Sequence, residues 1–198
     1  MPAVAVFRYE FSSPYSYFAA HRVDELLPIP VRWEPILFGA LAQSIDKVPW
    51  SLQPGEARDR RMRECERHAE ALGLPLRWPR DWPLGTYSVL AARAAVVADE
   101  VGRQREFALQ AFRLGLGLGR DLTDLTVVLE AAEAAQIAAE VIEEGVQRPE
   151  IKAQLRDATE AAVQAGVTGV PTVTLPGGEH FWGDDQLEVA AAAAQAYA

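Results

Sequence analysis

The sequence contains a single cysteine, Cys65, among 198 residues. One thiol cannot form an intramolecular disulfide, a Cys-x-x-Cys redox pair or a cysteine-rich zinc site, so these three kinds of chemistry are excluded. The three histidines lie far apart in the sequence, without the short spacings of helical metal motifs, and we expect no metal. Cys65 lies within a charged helical pattern, and we interpret it as a small, partly buried packing residue.

Positive charge is also scarce, because 19 Lys and Arg residues face 28 Asp and Glu residues and the formal net charge is -9. Nucleic acid and anionic membrane surfaces repel an acidic chain, so we expect neither as a partner. No apolar run approaches the roughly 20 residues that a membrane-spanning helix needs. The N-terminus leads directly into a strand pattern, without a basic and apolar secretory signal, and we expect a cytoplasmic protein.

Residues 3–36 predict a βαβ unit. An apolar strand pattern at 3–7 runs into FSSPYSYF (11–18) and an amphipathic helical pattern, and a strand with period-two alternation follows at 29–36. Short links make such strands parallel, with a right-handed crossover.

The middle of the chain is predicted to be helical, and its end is predicted to form a ββα unit. Helical patterns, each broken by Gly, Pro or a capping residue, cover 56–72, 87–101, 103–114, 122–134, 138–144 and 149–165. Strand patterns at 172–175 and 179–182 flank a Pro-Gly-Gly turn, and a final helix is predicted over 186–196. Gly115–Gly119 follows a helix and not a strand, so it is interpreted as a helix end or a place of close approach to a ligand.

A βαβ unit followed by ββα is the thioredoxin arrangement, and a helical block between the halves gives its DsbA-like form. We therefore predict an α/β fold with a thioredoxin-like domain at 1–42 and 150–198, and an inserted all-helical domain at 43–149. The active site of this fold lies at the start of the first helix, where Cys-x-x-Cys is usual. Here that stretch is Ser13–Ser16, with serine at both cysteine positions.

Ser13 is the candidate catalytic residue. The first turn of a helix presents unpaired backbone N–H groups and a partial positive charge, which lower the pKa of a thiol placed there. Pro14 suits the first helical position because its missing N–H would be unpaired anyway. With serine in place of cysteine, the thiolate has to come from outside, and Ser13 can donate a hydrogen bond to it. The alternative is that Ser13 is only a helix N-cap.

Val170 and Pro171 precede the predicted hairpin, where the thioredoxin fold has a cis-proline loop beside the active site. We predict a cis bond between them; an ordinary trans turn is the alternative. Such a loop would expose the backbone N–H and C=O of Val170 as an edge for an extended peptide.

Three motifs together, FSSPYSY, GVTGVPT and HFWGDDQLE, resemble the 2-hydroxychromene-2-carboxylate isomerase and kappa-class glutathione transferase family. This resemblance implies a DsbA-like fold, glutathione or another low-molecular-weight thiol as cofactor, a small-molecule substrate and a homodimer. It implies that Ser13 faces the glutathione sulfur, and that the backbone of Val170, beside Pro171, pairs with the cysteinyl part.

The resemblance also implies that the loop of Gly183, Asp184 and Asp185 holds the γ-glutamyl end. A helix N-terminus can bind the α-carboxylate, and Asp185 can accept from the ammonium group. The alternative for both acids is plain helix capping.

The chain departs from the family at three places. Gln186 stands where the family usually has Arg, Asp46–Pro49 replaces Asn-x-Pro-Pro, and Gly85-Thr86 replaces Asn-Thr. The contacts to the glycyl carboxylate and the family's aromatic substrate are therefore not carried over to this chain. Three basic side chains are candidates for a replacement contact, with solvated helix faces as the alternative: Lys47, Arg58 and Arg61.

Aromatic side chains are candidates for an apolar substrate pocket between the two domains, although core packing is the alternative for each of them. The candidates are Tyr15, Phe38, Trp50, Trp78 and Trp82.

The leading hypothesis is a thiol-dependent isomerase of a small unsaturated or aromatic compound, acting by reversible thiolate addition. A kappa-type glutathione transferase and a cis–trans isomerase of conjugated chains are close variants. The competing class is a non-catalytic peptide-binding module.

Overall fold

The computed structural model describes residues 3–53, 55–83 and 88–198, which contain four strands and ten α-helices. The strands are β1 (Ala5–Tyr9), β2 (Val31–Pro35), β3 (Thr172–Thr174) and β4 (His180–Trp182). The helices are α1 (Pro14–Ala20), α2 (Val23–Leu26), α3 (Phe38–Ser44), α4 (Glu56–Ala71), α5 (Val89–Glu100), α6 (Gln104–Phe112), α7 (Leu125–Ala134), α8 (Ala139–Gly145), α9 (Pro149–Gln164) and α10 (Leu187–Ala194). Short 3-10 turns cover Trp50–Leu52, Asp184–Gln186 and Gln195–Tyr197, and Arg113–Gly117 is a π-helical turn.

The sheet has the strand order β2-β1-β3-β4. β1 and β2 are parallel, whereas β3 pairs antiparallel with both β1 and β4. The predicted βαβ and ββα units are therefore both present, and β1 joins them at the centre of the sheet.

Aromatic residues hold one face of the sheet against the helical insertion. Phe7 and Tyr9 lie two residues apart on β1, so they share a face, and both contact Trp33 of β2 edge-on at 5.0 and 5.5 Å between ring centroids. Phe112 of α6 lies 5.9 Å from Tyr9 and 5.0 Å from Phe11. The end of β1, and with it the start of α1, is thus anchored in the core.

Three local features differ from the sequence predictions. Helix α3 was not predicted, and the first helical pattern divides into α1 and α2. The helix expected to end near Gly115 instead continues as a π-helical turn. A Cβ at Gly115 would lie 2.8 Å from Leu122 Cδ1, so this glycine allows a close contact within the insertion.

The predicted domain boundaries remain a prediction. α3 spans the boundary after residue 42, and α9 packs against β2 and α3 of one half as well as α5 of the insertion. Within the described ranges, no helix is long and apolar enough to cross a membrane.

Candidate active site

The N-terminus of α1 is formed by Ser13 and Pro14. Ser13 has extended backbone angles and its Oγ accepts a hydrogen bond from the Ser16 N–H at 3.2 Å, while Pro14 occupies the first helical position. A hydroxyl group has one donor and two acceptor sites. Because the cap uses an acceptor site, the Ser13 hydroxyl proton is left to donate elsewhere. Ser13 is therefore a helix cap and, at the same time, a possible hydrogen-bond donor to a ligand.

Ser13 opens into a cavity of about 740 Å³ between the thioredoxin-like half and the insertion. Its walls come from the N-terminus of α1, helix α4, the segment 47–53, and the loops before β3 and after β4. Apart from the basic candidates, the cavity brings together nine of the eleven candidate residues, all except Pro171 and Trp78: Ser13, Tyr15, Phe38, Trp50, Trp82, Val170, Gly183, Asp184 and Asp185.

The loop before β3 contains the predicted cis bond between Val170 and Pro171. Val170 lines the cavity, and among the described residues its backbone N–H and C=O have no backbone partner. Pro171 does not line the cavity; its carbonyl accepts from the Gly183 N–H at 2.9 Å. The loop thus presents one free peptide edge and is tied through Pro171 to the acidic loop.

The acidic loop, residues 183–185, has a conformation that depends on glycine. Gly183 has φ 114°, and a Cβ there would lie 2.3 Å from Asp185 Oδ1. Asp185 is exposed, whereas Asp184 is buried with its Oδ2 2.6 Å from Nε2 of His68. Burial raises the pKa of Asp184, and the contact with His68 acts in the opposite direction.

Aromatic rings form the apolar wall. Trp50 lies 5.5 Å from Trp82 and 6.3 Å from Tyr15 between ring centroids, and Phe38 lines the same cavity. Trp82 also donates from Nε1 to the Ser12 carbonyl at 2.8 Å, next to Ser13. The wall therefore lies beside the serine.

The family model of the DSBA-like thioredoxin domain matches residues 4–195. The chain belongs to the DSBA-like thioredoxin family. Glutathione S-transferase kappa 1 from Homo sapiens is 25% identical over 209 residues, which cover 96% of this chain and 90% of that protein. The predicted resemblance and the predicted DsbA-like fold are confirmed.

Solved structures agree with this assignment at the level of fold. A 2-hydroxychromene-2-carboxylate isomerase superposes with a TM-score of 0.84 at 21% identity, over 98% of this chain and 95% of that one. The cytosolic disulfide reductase DsbM from Pseudomonas aeruginosa, solved with GSH, has a TM-score of 0.67 at 18% identity, over 98% of this chain and 96% of that one.

Two of the three basic candidates of this DSBA-like chain reach the cavity. Lys47 and Arg61 line it; Lys47 Nζ also donates to the Thr168 carbonyl at 3.0 Å. Arg58 instead donates to the carbonyl of Trp82 at 2.9 Å. Residues Gly85 and Thr86 lie outside the described residues.

Cys65 is almost completely buried, at 1% exposure, and it lines the cavity. Burial raises the pKa of its thiol to about 11, and Tyr15 shares a side-chain hydrogen bond with it. Cys65 is buried, as expected for a packing residue. The sequence did not indicate that it also lies in the cavity wall. Its thiol stays protonated at neutral pH.

Glu10 and His68 also line the cavity, and sequence reasoning missed both as site residues. Glu10 is 6% exposed at the end of β1 and accepts from Ser12 Oγ at 2.5 Å and from the Ser88 hydroxyl. Burial raises the pKa of Glu10, against the lowering effect of both serines. A signal was available for Glu10, because a carboxylate between apolar residues at a strand end is unusual in a core.

Proposed function

We propose that this protein is a thiol-dependent enzyme that isomerises a small unsaturated or aromatic compound, with glutathione or another low-molecular-weight thiol as its cofactor. The observation that carries the proposal is the Ser13 hydroxyl at the N-terminus of α1, whose proton has no acceptor among the described residues, inside a cavity with an aromatic wall. The kappa-class relative supports glutathione as the thiol.

The cavity offers groups that suit such a thiol. The free backbone edge of Val170 can pair with a cysteinyl peptide group, and Asp185 can accept from an ammonium group. Lys47 and Arg61 can provide positive charge for a carboxylate at the other end. The residues present therefore fit a short, zwitterionic peptide thiol.

The thiol, when bound, supplies a nucleophile that adds to an activated double bond and leaves again after bond rotation. Ser13 would stabilise the ionised thiol by donating a hydrogen bond from its hydroxyl, together with the backbone N–H groups of the first turn. The wall of Tyr15, Trp50 and Trp82 would bind the apolar, unsaturated part of the substrate. Cys65 would not compete, because burial keeps its thiol protonated.

Two variants of the reaction use the same site. A kappa-type transferase would release a product that keeps the thioether, whereas an isomerase, including one acting on conjugated chains, would release the thiol unchanged. Mass spectrometry of the products distinguishes the transferase from the isomerase.

A non-catalytic peptide-binding module, favoured only by the open edge at Val170, would bind extended peptides without ionising a thiol. A cytoplasmic location and a homodimer remain predictions.

The test is a titration with glutathione and with S-methylglutathione, followed by calorimetry and by ultraviolet thiolate absorbance. We expect both compounds to bind, and we expect only glutathione to show thiolate absorbance, at a pH below that at which the free thiol ionises. A bound thiol that ionises as in free solution would overturn the proposal, as would the failure of glutathione and of other low-molecular-weight thiols, such as cysteine, to bind.

A further inference from the structure

A buried carboxyl group, that of Glu10, lies in the cavity wall close to Ser13. Glu10 directly follows β1, is 6% exposed and lines the cavity. Its carbonyl accepts from the Ser13 N–H at 3.2 Å, and its own N–H donates to Ser16 Oγ at 3.3 Å. The chain between β1 and α1 is therefore a fixed turn, and it holds Glu10 beside the N-terminus of α1.

Two serine hydroxyls contact the two oxygens of this carboxyl group. Ser12 Oγ lies 2.5 Å from Oε2, and the Ser88 hydroxyl contacts Oε1. Among the described residues, no Lys, Arg or His forms an ion pair with Glu10. Burying a charge without a cation is costly, and burial raises the pKa of Glu10. This group therefore keeps its proton to a higher pH than an exposed carboxyl group does.

The protonation of Glu10 determines where the Ser12 hydroxyl can donate. An ionised carboxylate is only an acceptor, so it accepts a hydrogen bond from each serine. A protonated carboxyl group can instead donate to Ser12 Oγ, and the Ser12 hydroxyl proton is then free for another acceptor. Ser12 lines the cavity, whereas Ser88 is 2% exposed and lies behind Glu10, outside the cavity wall. The acceptor that the Ser12 hydroxyl can reach is thus a molecule bound in the cavity.

We propose that Ser12, positioned by Glu10, donates a hydrogen bond to the carbonyl oxygen of the unsaturated substrate as the thiol adds to it. This inference rests on the proposed function and makes Ser12 a catalytic residue and Glu10 its positioning residue. Ser12 and Ser13 both line the cavity, and consecutive Cα atoms are about 3.8 Å apart. The two hydroxyls can therefore serve one adduct, Ser13 at the sulfur and Ser12 at the oxygen a few bonds away.

The electrons of this step balance without an added proton. The thiolate sulfur forms a bond to one carbon of the double bond, and the π electron pair moves onto the carbonyl oxygen. The hydrogen bond from Ser12 stabilises this oxyanion. After rotation about the former double bond, the electron pair returns, the carbon–sulfur bond breaks, and the sulfur leaves as a thiolate.

Two model electrophiles test the role of Ser12. Glutathione addition to diethyl maleate forms a carbonyl oxyanion and yields diethyl fumarate on elimination, whereas chlorodinitrobenzene loses chloride and carries the negative charge on its nitro groups. We expect Ser12→Ala to slow the formation of diethyl fumarate about tenfold to a hundredfold, the range of one hydrogen bond to a charged group. The chlorodinitrobenzene rate should change less than about threefold, because Ser13 and the bound thiol remain. Ser51→Ala, another serine of the cavity wall, is the matched control and should leave both rates unchanged.

The ratio of the diethyl maleate rate to the chlorodinitrobenzene rate provides a second readout, because ionisation of the bound thiol affects both reactions. For the wild type, this ratio should fall between about pH 5 and about pH 9, as Glu10 ionises and accepts the Ser12 hydrogen bond again. Glu10→Gln cannot ionise, so its ratio should stay constant. The other titratable side chains of the cavity are the same in both proteins: Tyr15, Lys47, Arg61, Glu64, Cys65, His68, Asp184 and Asp185.

The two readouts separate this inference from the proposed function. Ser12→Ala that slows both reactions equally, or neither, would overturn the inference. The same pH dependence of the ratio in wild type and Glu10→Gln would also overturn it. A wild type that accelerates neither reaction over free glutathione would overturn the proposed function itself.

Discussion

Replacing Ser13 by alanine removes two interactions that have separate consequences. The Oγ accepts from the Ser16 N–H, and its proton is available to a bound thiolate. Loss of an N-cap costs about 0.5–2 kcal/mol of stability. Loss of a hydrogen bond to a charged group costs about 1.5–3 kcal/mol, which equals one to two units of pKa of the bound thiol at about 1.36 kcal/mol each.

We therefore expect Ser13→Ala to raise the pKa of bound glutathione by about one to two units. The rate near neutral pH should fall about tenfold to a hundredfold, because a smaller fraction of the thiol is ionised. The rate should recover as the pH rises above the new pKa. Affinity should change much less, since the backbone of Val170 and the charged groups at both ends remain.

The assay combines thiolate absorbance of the complex with a pH–rate profile at saturating glutathione, using chlorodinitrobenzene as a model electrophile. Ser13→Thr retains a hydroxyl and should resemble the wild type. The carboxylate of Asp124 caps α7 by accepting from the Thr126 N–H at 2.9 Å. Asp124→Ala therefore controls for the loss of a helix cap alone. If the Ser13→Ala and wild-type titration curves coincide, Ser13 is only a cap and the mechanism loses its central residue.

Three further predictions concern the rest of the chain. Cys65→Ala should keep activity within a few-fold and cost about 0.5–1.5 kcal/mol in denaturant unfolding; a loss near a thousandfold in an intact fold would contradict an external thiol. Burial raises the pKa of Glu10 in the folded state, so wild-type stability should fall as pH rises from the ordinary carboxyl range through that pKa. Glu10→Gln should reduce this slope, and the part that remains is expected from Asp184, whose pKa burial also raises; an unchanged slope would assign it entirely to other groups. Light scattering should give a homodimer, and a mass near 21.7 kDa at micromolar concentration would refute it.

Short-range features of the fold could be predicted from the sequence because turn chemistry is local. Ser13-Pro14 indicated a helix start after a strand, and both are found there. The Pro-Gly-Gly turn and its flanking β-branched and aromatic residues indicated the β3–β4 hairpin. Helix α3 was missed because its sequence, FGALAQS, contains glycine and few strong periodic signals. Helix α3 packs against α9, a tertiary contact that the local sequence does not reveal.

The contact between His68 and Asp184 could not be predicted from the sequence, because it joins residues 116 positions apart. Local spacing shows that Arg61 and His68 share a helix face, but not which surface that face covers. His68 alone among the histidines lies in the cavity, and no short motif distinguished it from His21 and His180. Three residues that line the cavity were not predicted to do so: Glu10 of the thioredoxin-like half, and Cys65 and His68 of the insertion.

In the proposed mechanism the cavity has two positions for a thiol with opposite electrostatics, and this contrast would make the borrowed thiol the better nucleophile. Burial raises the pKa of Cys65 to about 11, so only about one thiol in ten thousand is ionised at pH 7. In the proposed complex, a thiol at the N-terminus of α1 would have its ordinary pKa of about 8.5 lowered toward about 7 by the helix and a hydroxyl donor. About half of it is then ionised at neutral pH, several thousand times the fraction at Cys65. In the proposed mechanism, a thiol beside Ser13 would therefore have a far larger ionised fraction at neutral pH than the buried thiol of Cys65.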